Sequence, residues 1–165
     1  MIFAELLAYT SSVKDSTPDI QKVAALPGPC FCGNLRRATR TITRVYEEEY
    51  RSVGLNGTTQ LVVLRVLSRV EAMRQRDLGK ALAIDETTLT RTLRPLLEKG
   101  WLKLREGEDR REKMISVTKS GQRQIELALP AWERAQARIR RVLPEGLWDA
   151  MMESLPVVAR AGENA

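Results

Sequence analysis

The chain reads as a mainly α protein with a small β-hairpin wing: a winged helix-turn-helix domain plus N- and C-terminal dimerisation helices. Three observations predict it. Leu, Arg, Ala and Glu dominate while aromatics make up only 5% of the 165 residues, which favours helix over sheet. Residues 76–100 read as helix, short turn, capped helix and glycine stop. Immediately afterwards, two alternating apolar runs flank a charge-dense tip, the pattern of a hairpin.

The elements follow in order. Residues 1–29 hold a short apolar opening, a Ser/Asp/Thr/Pro patch and "LPGP", and form an N-terminal extension with no predicted element. From Leu35 to about Val53, Leu35, Ala38, Ile42, Val45 and Tyr46 recur at three- and four-residue steps, predicting a helix ended by Gly54. "LNGTTQLVVLRVLSRV" restarts a helix after the Asn56-Gly57 turn. Its apolar residues nearly encircle it, so it belongs deep in the core. A short helix from about Arg76 to Leu82 leads into a tight connection at Ala83-Ile84, and Asp85 then caps a second helix, Glu86 to Lys99, stopped by Gly100. Leu102 and Leu104, then Met114, Ile115 and Val117, mark the two strands of the wing. Thr118-Lys119-Ser120-Gly121 opens a long helix in which Pro130 predicts a kink, and a last helical segment runs from Leu147 to Val158. The resulting partition is an extension at 1–29, dimerisation helices at 30–56 and 119–165, and the winged helix-turn-helix domain at 57–118.

Bulk chemistry narrows the function. A formal charge of +6 and a pI near 9.7 suit a polyanionic partner. Histidine is absent, which removes Ser-His-Asp and Cys-His catalysis and His-based zinc sites, so the chain is not expected to be an enzyme. No run approaches the roughly 18 apolar residues of a membrane span, and the N-terminus has no basic region of a secretory signal. Two cysteines in CxC spacing make no disulfide framework. A reducing cytoplasm is therefore the expected location, with no membrane partner, cofactor or resident metal.

On the helix from residue 86, Leu89, Leu93, Leu96 and Leu97 fall on one side at about 100° per residue. The opposite side carries Thr87, Thr88, Arg91 and Arg94, with Thr90 beside them and Glu98 at the far end. In a helix-turn-helix, the N-terminal half of the second helix reads base edges in the major groove. Arginine can grip guanine O6 and N7 bidentately, at roughly 1–3 kcal/mol of discrimination. At the wing tip, "EGEDRREK" projects Arg110 and Arg111 toward a minor groove, with Asp109 placed to hold Arg111. Lys103, Arg105 and Lys113 would add phosphate contacts.

The run "LGKALAIDETTLTRTLRPLLEKGWLKLREGEDRREKMISVTKSG" resembles the MarR family of winged-helix transcription regulators, most specifically in its wing and in "SVTKSG". The resemblance extends from about Cys30 to Leu155. It implies a homodimer whose N- and C-terminal helices interlock and whose recognition helices meet successive major grooves of a pseudo-palindromic double-stranded DNA operator. It also implies that Asp109 and Arg111 are the wing Asp-x-Arg whose arginine enters the minor groove. A separate argument for the dimer is apolar surface: Ile42, Val45, Trp132, Ile139, Leu147, Trp148, Met151, Met152 and Leu155 exceed what a winged domain could cover.

Within that family, organic hydroperoxide sensors of the OhrR type keep a reactive cysteine near the start of the first helix. Counting back from Ala38–Tyr46 places it at Cys32, and Tyr46 matches a tyrosine that supports the thiol. Arg36 and Gly57 stand where those sensors have further tyrosines. Cys32 and Tyr46 are separated by roughly 21 Å along one helix, so only a partner's tyrosine would reach. Cys30 would then act as a resolving thiol across the dimer. Simple packing of both cysteines, or a metal site completed by Asp or Glu, are the other readings. The implied function is a homodimeric repressor released by an oxidant or a small-molecule effector. A winged-helix protein-interaction module and a thiol-based redox enzyme are the alternatives.

Overall fold

The computed structural model describes residues 30–107 and 112–164. Helix α1 spans Phe31–Tyr50, followed by a 3-10 turn at Arg51–Val53, and α2 spans Thr58–Leu67. Strand β1 (Met73–Arg74), helix α3 (Gln75–Ala81), helix α4 (Glu86–Glu98), strands β2 (Leu102–Glu106) and β3 (Lys113–Val117), and helices α5 (Lys119–Val142) and α6 (Leu147–Glu163) complete the order. By compactness the chain divides at Arg37, so the helical start at residues 30–37 and the body from Ala38 onward are separate units.

Three expectations are corrected. The wing is not a lone hairpin: β1 adds a third strand, giving the antiparallel order β1-β3-β2 with Met73 opposite Ile115 and Leu104 opposite Ile115 on the other edge. Two residues are too short to leave a period-two signal, which is why β1 was hidden in the sequence. The first helix begins at Phe31 rather than Leu35 and ends at Tyr50, where the chain tightens into the 3-10 turn before left-handed Gly54. The last helix runs on past Val158 to Glu163. The long helix is continuous through Pro130, as α6 is through Pro156 and α4 through Pro95. Each proline leaves the carbonyl four residues back without its helical donor.

The core lies between α2, the recognition pair α3–α4, the sheet and the first half of α5. Leu61, Val63, Leu64 and Leu67 of α2 are buried with Leu78, with Leu89, Leu93 and Leu96 of α4, and with Ile115. Each fully buried leucine contributes about 1.5–3 kcal/mol relative to exposure. The expectation that α2 sits deep holds except at Val62, which faces out. Gln60 accepts from the Asn56 N–H at 2.9 Å, and Gln124 donates to the Val53 carbonyl, so these two buried amides tie the loop before α2 to both helices.

The helix-turn-helix corner depends on two small residues. Ile84 N–H donates to the Gly79 carbonyl at 2.9 Å, and a Cβ on Gly79 would sit 3.2 Å from the Ile84 carbonyl. Ala83 takes a φ of 50°, a left-handed conformation that glycine adopts freely and alanine does not.

The wing, the end of α4 and the start of α5 converge on Thr118. Its hydroxyl donates to the Gly100 carbonyl at 2.7 Å and accepts from the Gly121 N–H at 3.0 Å, capping α5, while its N–H donates to the Trp101 carbonyl. A Cβ at Gly121 would collide with that same Trp101 carbonyl and with the Val117 side chain. This explains physically why glycine closes the "SVTKSG" run.

The end of α1 is held to α5 by ions. Glu49 accepts from Arg134 at 2.8 Å and from Arg138 at 2.9 Å, and Arg138 also reaches Glu48. These hydrogen bonds hold the Glu49 carboxyl below its ordinary value of 4.5. By contrast α6 buries no side chain, and Leu147, Met152, Leu155 and Val157 lie exposed. None of the described helices is long and apolar enough to cross a membrane.

Gly121→Ala is expected to lower unfolding stability by about 1–3 kcal/mol in urea titrations; wild-type stability in that variant would mean the approach to Trp101 is not constraining. The lowered Glu49 carboxyl adds stability above its unfolded value of 4.5 and loses it as pH falls through the folded value. The urea midpoint should therefore drop on acidification more steeply in wild type than in Glu49→Gln.

Candidate nucleic-acid interface

Helix α4 begins with an N-cap in which Asp85 accepts the Thr88 N–H at 2.9 Å through one oxygen and the Thr88 hydroxyl at 2.7 Å through the other. Those two bonds hold the Asp85 carboxyl below the usual range. A carboxylate here also faces the positive end of the helix dipole. Leu89, Leu93 and Leu96 then bury one side of the helix and fix its rotation. The opposite side is forced outward.

That outward side gathers Thr87, Thr90, Arg91 and Arg94, with Glu86, around one shallow depression. All four are exposed. Thr88 lies apart from them, half-buried, with its hydroxyl proton committed to Asp85. Thr92 likewise turns inward, donating to the Thr88 carbonyl. The outward hydroxyls on this helix are thus those of Thr87 and Thr90.

A groove of about 1170 Å³ between α4, the start of α3 and the base of the wing shares Glu86, Thr90 and Arg94 with that depression. Leu93, Leu97 and Leu104 line its floor, with Arg74, Arg94 and Lys113 among its rim. Two of these cations carry carboxylate partners. Arg94 Nε donates to Glu98 at 2.8 Å along the helix, and Arg74 Nε pairs with Glu112 at 3.1 Å. Arg91, by contrast, makes no hydrogen bond or ion pair among the described residues.

Two side chains that shape the candidate interface escaped the sequence reading. Gln75, first residue of α3, donates to Thr90 Oγ1 at 3.3 Å and so orients that hydroxyl. Glu112 braces the wing base against Arg74, made possible by Gly107, whose N–H donates to the Glu112 carbonyl at 2.8 Å and which has no side chain to strike Glu112. Neither partnership spans a short sequence interval, so no local pattern signals it. Lys103, Arg105 and Lys113 are exposed on the strands. Asp109, Arg110 and Arg111 lie outside the described residues.

The cysteines stand at the start of α1. Cys30 precedes the helix and its Sγ accepts the Gly33 N–H at 3.3 Å; Cys32 is the second helical residue, and both thiols are free and exposed. The thiol that touches the helix N-terminus is therefore that of Cys30. Among the described residues no three Cys, Asp or Glu side chains gather as a metal site would require. In the body, Tyr46 packs at the core edge with its ring 5.9 Å from that of Tyr50. Burial raises both phenols, Tyr50 to about 12. Trp132 lies against the core beneath the Arg65 guanidinium, 4.8 Å from the ring centre.

Residues 58–113 match the model of the MarR family. A curated relative described as an uncharacterized HTH-type transcriptional regulator, YwoH of Bacillus subtilis (strain 168), is 33% identical over 92 residues. That match spans 56% of this chain and 66% of the relative. Among solved structures, the M. tuberculosis transcriptional regulator MosR in complex with DNA aligns with a TM-score of 0.72 and 28% identity, covering 82% of this chain and 97% of its own. A mutant MarR from E. coli complexed with operator DNA shares the fold at a TM-score of 0.67 and 21% identity, covering 76% and 91%.

Proposed function

The chain carries a MarR-family winged helix-turn-helix domain, and from that premise we propose that it is a homodimeric, sequence-specific DNA-binding transcriptional regulator acting as a repressor. The observation that carries this reading is the exposed face of α4, where Thr87, Thr90, Arg91 and Arg94 surround one depression while the leucines opposite anchor the helix. Such a face fits a major groove: hydroxyls serve phosphates or bases, and the guanidiniums are matched to guanine edges. Two solved relatives described above bind DNA, one of them an operator. Arg111, and Asp109 holding it, would extend the contact into the minor groove from the wing.

The second subunit is supported by α6. A helix with Leu147, Met152, Leu155 and Val157 exposed and nothing buried needs a cover, and a second copy of the same helices supplies one. Two recognition helices would then read half-sites one helical turn apart.

For the signal, the exposed thiols favour an oxidant. An organic hydroperoxide would transfer its terminal oxygen to a cysteine thiolate, giving a sulfenic acid and an alcohol. A second thiol would then displace water to form a disulfide. The family resemblance assigns the attacking thiol to Cys32, whereas the N–H at the helix start goes to Cys30. A small-molecule effector is the other signal compatible with this family.

Arg91→Ala combined with Arg111→Ala should abolish sequence-specific gel shifts while the protein still sediments as a dimer. Unchanged affinity in that double variant rejects the DNA-binding face, and a monomer in wild type rejects the dimer. Organic hydroperoxide should release wild-type protein from DNA and spare the Cys30→Ser, Cys32→Ser double variant, with the single variants deciding which thiol is attacked. Wild-type binding that survives the oxidant rejects the redox signal.

A further inference from the structure

The two guanidiniums of the recognition face differ in one respect. Arg91 is unengaged among the described residues, while Arg94, three residues on, is held by Glu98 at 2.8 Å. The same arrangement recurs across the groove, where Arg74 is held by Glu112. Of the three arginines that line the groove between α4 and the wing, Arg74 and Arg94 thus have a carboxylate partner within the groove itself, while Arg76 has none among the described residues.

We propose that Glu98 is a specificity-determining positioning residue: it restrains Arg94 from gripping phosphate, so that Arg94 engages DNA only where a base edge repays the exchange. The inference rests on the DNA-binding reading above and concerns how that face discriminates. An exposed pair four residues apart in a helix is a weak restraint in free protein, worth about a twofold bias. Docking changes the balance. A duplex over the face expels water, and a Glu98 left without Arg94 would then confront phosphates as an unpaired carboxylate. A single phosphate contact replaces one anionic partner by another and gains little. A guanine edge offers two acceptors in the geometry a guanidinium fits, and that contact alone carries base discrimination. Glu98 therefore penalises non-specific binding more than binding at the correct site, a repulsive element serving specificity.

The test measures dissociation constants across a salt series for wild type, Glu98→Gln, Arg94→Gln and the double variant. Two probes are used: a mixed-sequence duplex, and a duplex recovered from a randomised pool by the wild-type protein. Glu98 is exposed, so its replacement by the isosteric amide leaves the fold intact. Glu98→Gln should tighten mixed-sequence binding by about two- to tenfold. It should also steepen the slope of log affinity against log salt by about 0.9, the signature of one added phosphate contact. Affinity for the recovered duplex should change by less, so the ratio between probes falls. In the Arg94→Gln background the same change should do neither. The inference is overturned if slope and ratio stay at wild-type values in Glu98→Gln, or if the effect is the same without Arg94, which would make Glu98 a simple repulsive charge. Wild-type protein that binds neither duplex in a salt-dependent way would instead overturn the DNA-binding reading itself.

Discussion

The approach of α5 to the Trp101 carbonyl sets the geometry on which the elements of the candidate interface depend. Thr118 donates to the last turn after α4, takes the Gly121 N–H as the cap of α5, and stands at the end of β3. Three elements are therefore fixed by one side chain and by the missing Cβ three residues later. Because α4 ends at the same point, its rotation and tilt are referred directly to α5, the helix whose second half carries the ion pairs to Glu48 and Glu49. Recognition face and long helix are thus joined by backbone and hydroxyl contacts over a few residues, without an intervening loop.

The polar side chains of α4 divide between those that build the helix and those left for the proposed recognition of DNA. Asp85, Thr88 and Thr92 are consumed in starting and tightening the helix. Thr90 is steadied by Gln75. Arg94 is shared with Glu98. A helical wheel groups all of these by direction alone and cannot tell a hydroxyl that caps from one that faces solvent. The hydrogen-bond pattern makes that distinction, and it shifts the weight of the face from Thr88 toward Thr90 and Arg91.

Much of the fold was legible because its signals are local. The leucines of α4 repeat at helical spacing, Asp85 and Gly100 bracket that helix, and Leu102, Leu104 and Ile115 alternate about a charged tip. What stayed hidden depends on distant partners or on backbone shape. Strand β1 exists only because Met73 and Arg74 meet Ile115 and Met114. Ala83 adopts its left-handed turn without the glycine that would announce it. The site was legible to the extent that it lies on one helix face; the partnerships Gln75–Thr90 and Arg74–Glu112 join residues far apart in sequence. The family resemblance points to Cys32, while the hydrogen bond at the helix start runs from the Gly33 N–H to Cys30 Sγ, a contact that neither the resemblance nor the CxC spacing announces.

Pro156 gives α6 a further property. A seventeen-residue helix that buries nothing and lacks one of its internal hydrogen bonds is marginal in water on its own. In the proposed dimer, where a second subunit covers it, ordering of that helix and association would become one bimolecular step. Stability would then rise with the amount of protein present. A regulator built as proposed would have a concentration threshold set by the dissociation constant of its dimer, below which the helices would frame no dimer and the two recognition faces would have no fixed spacing.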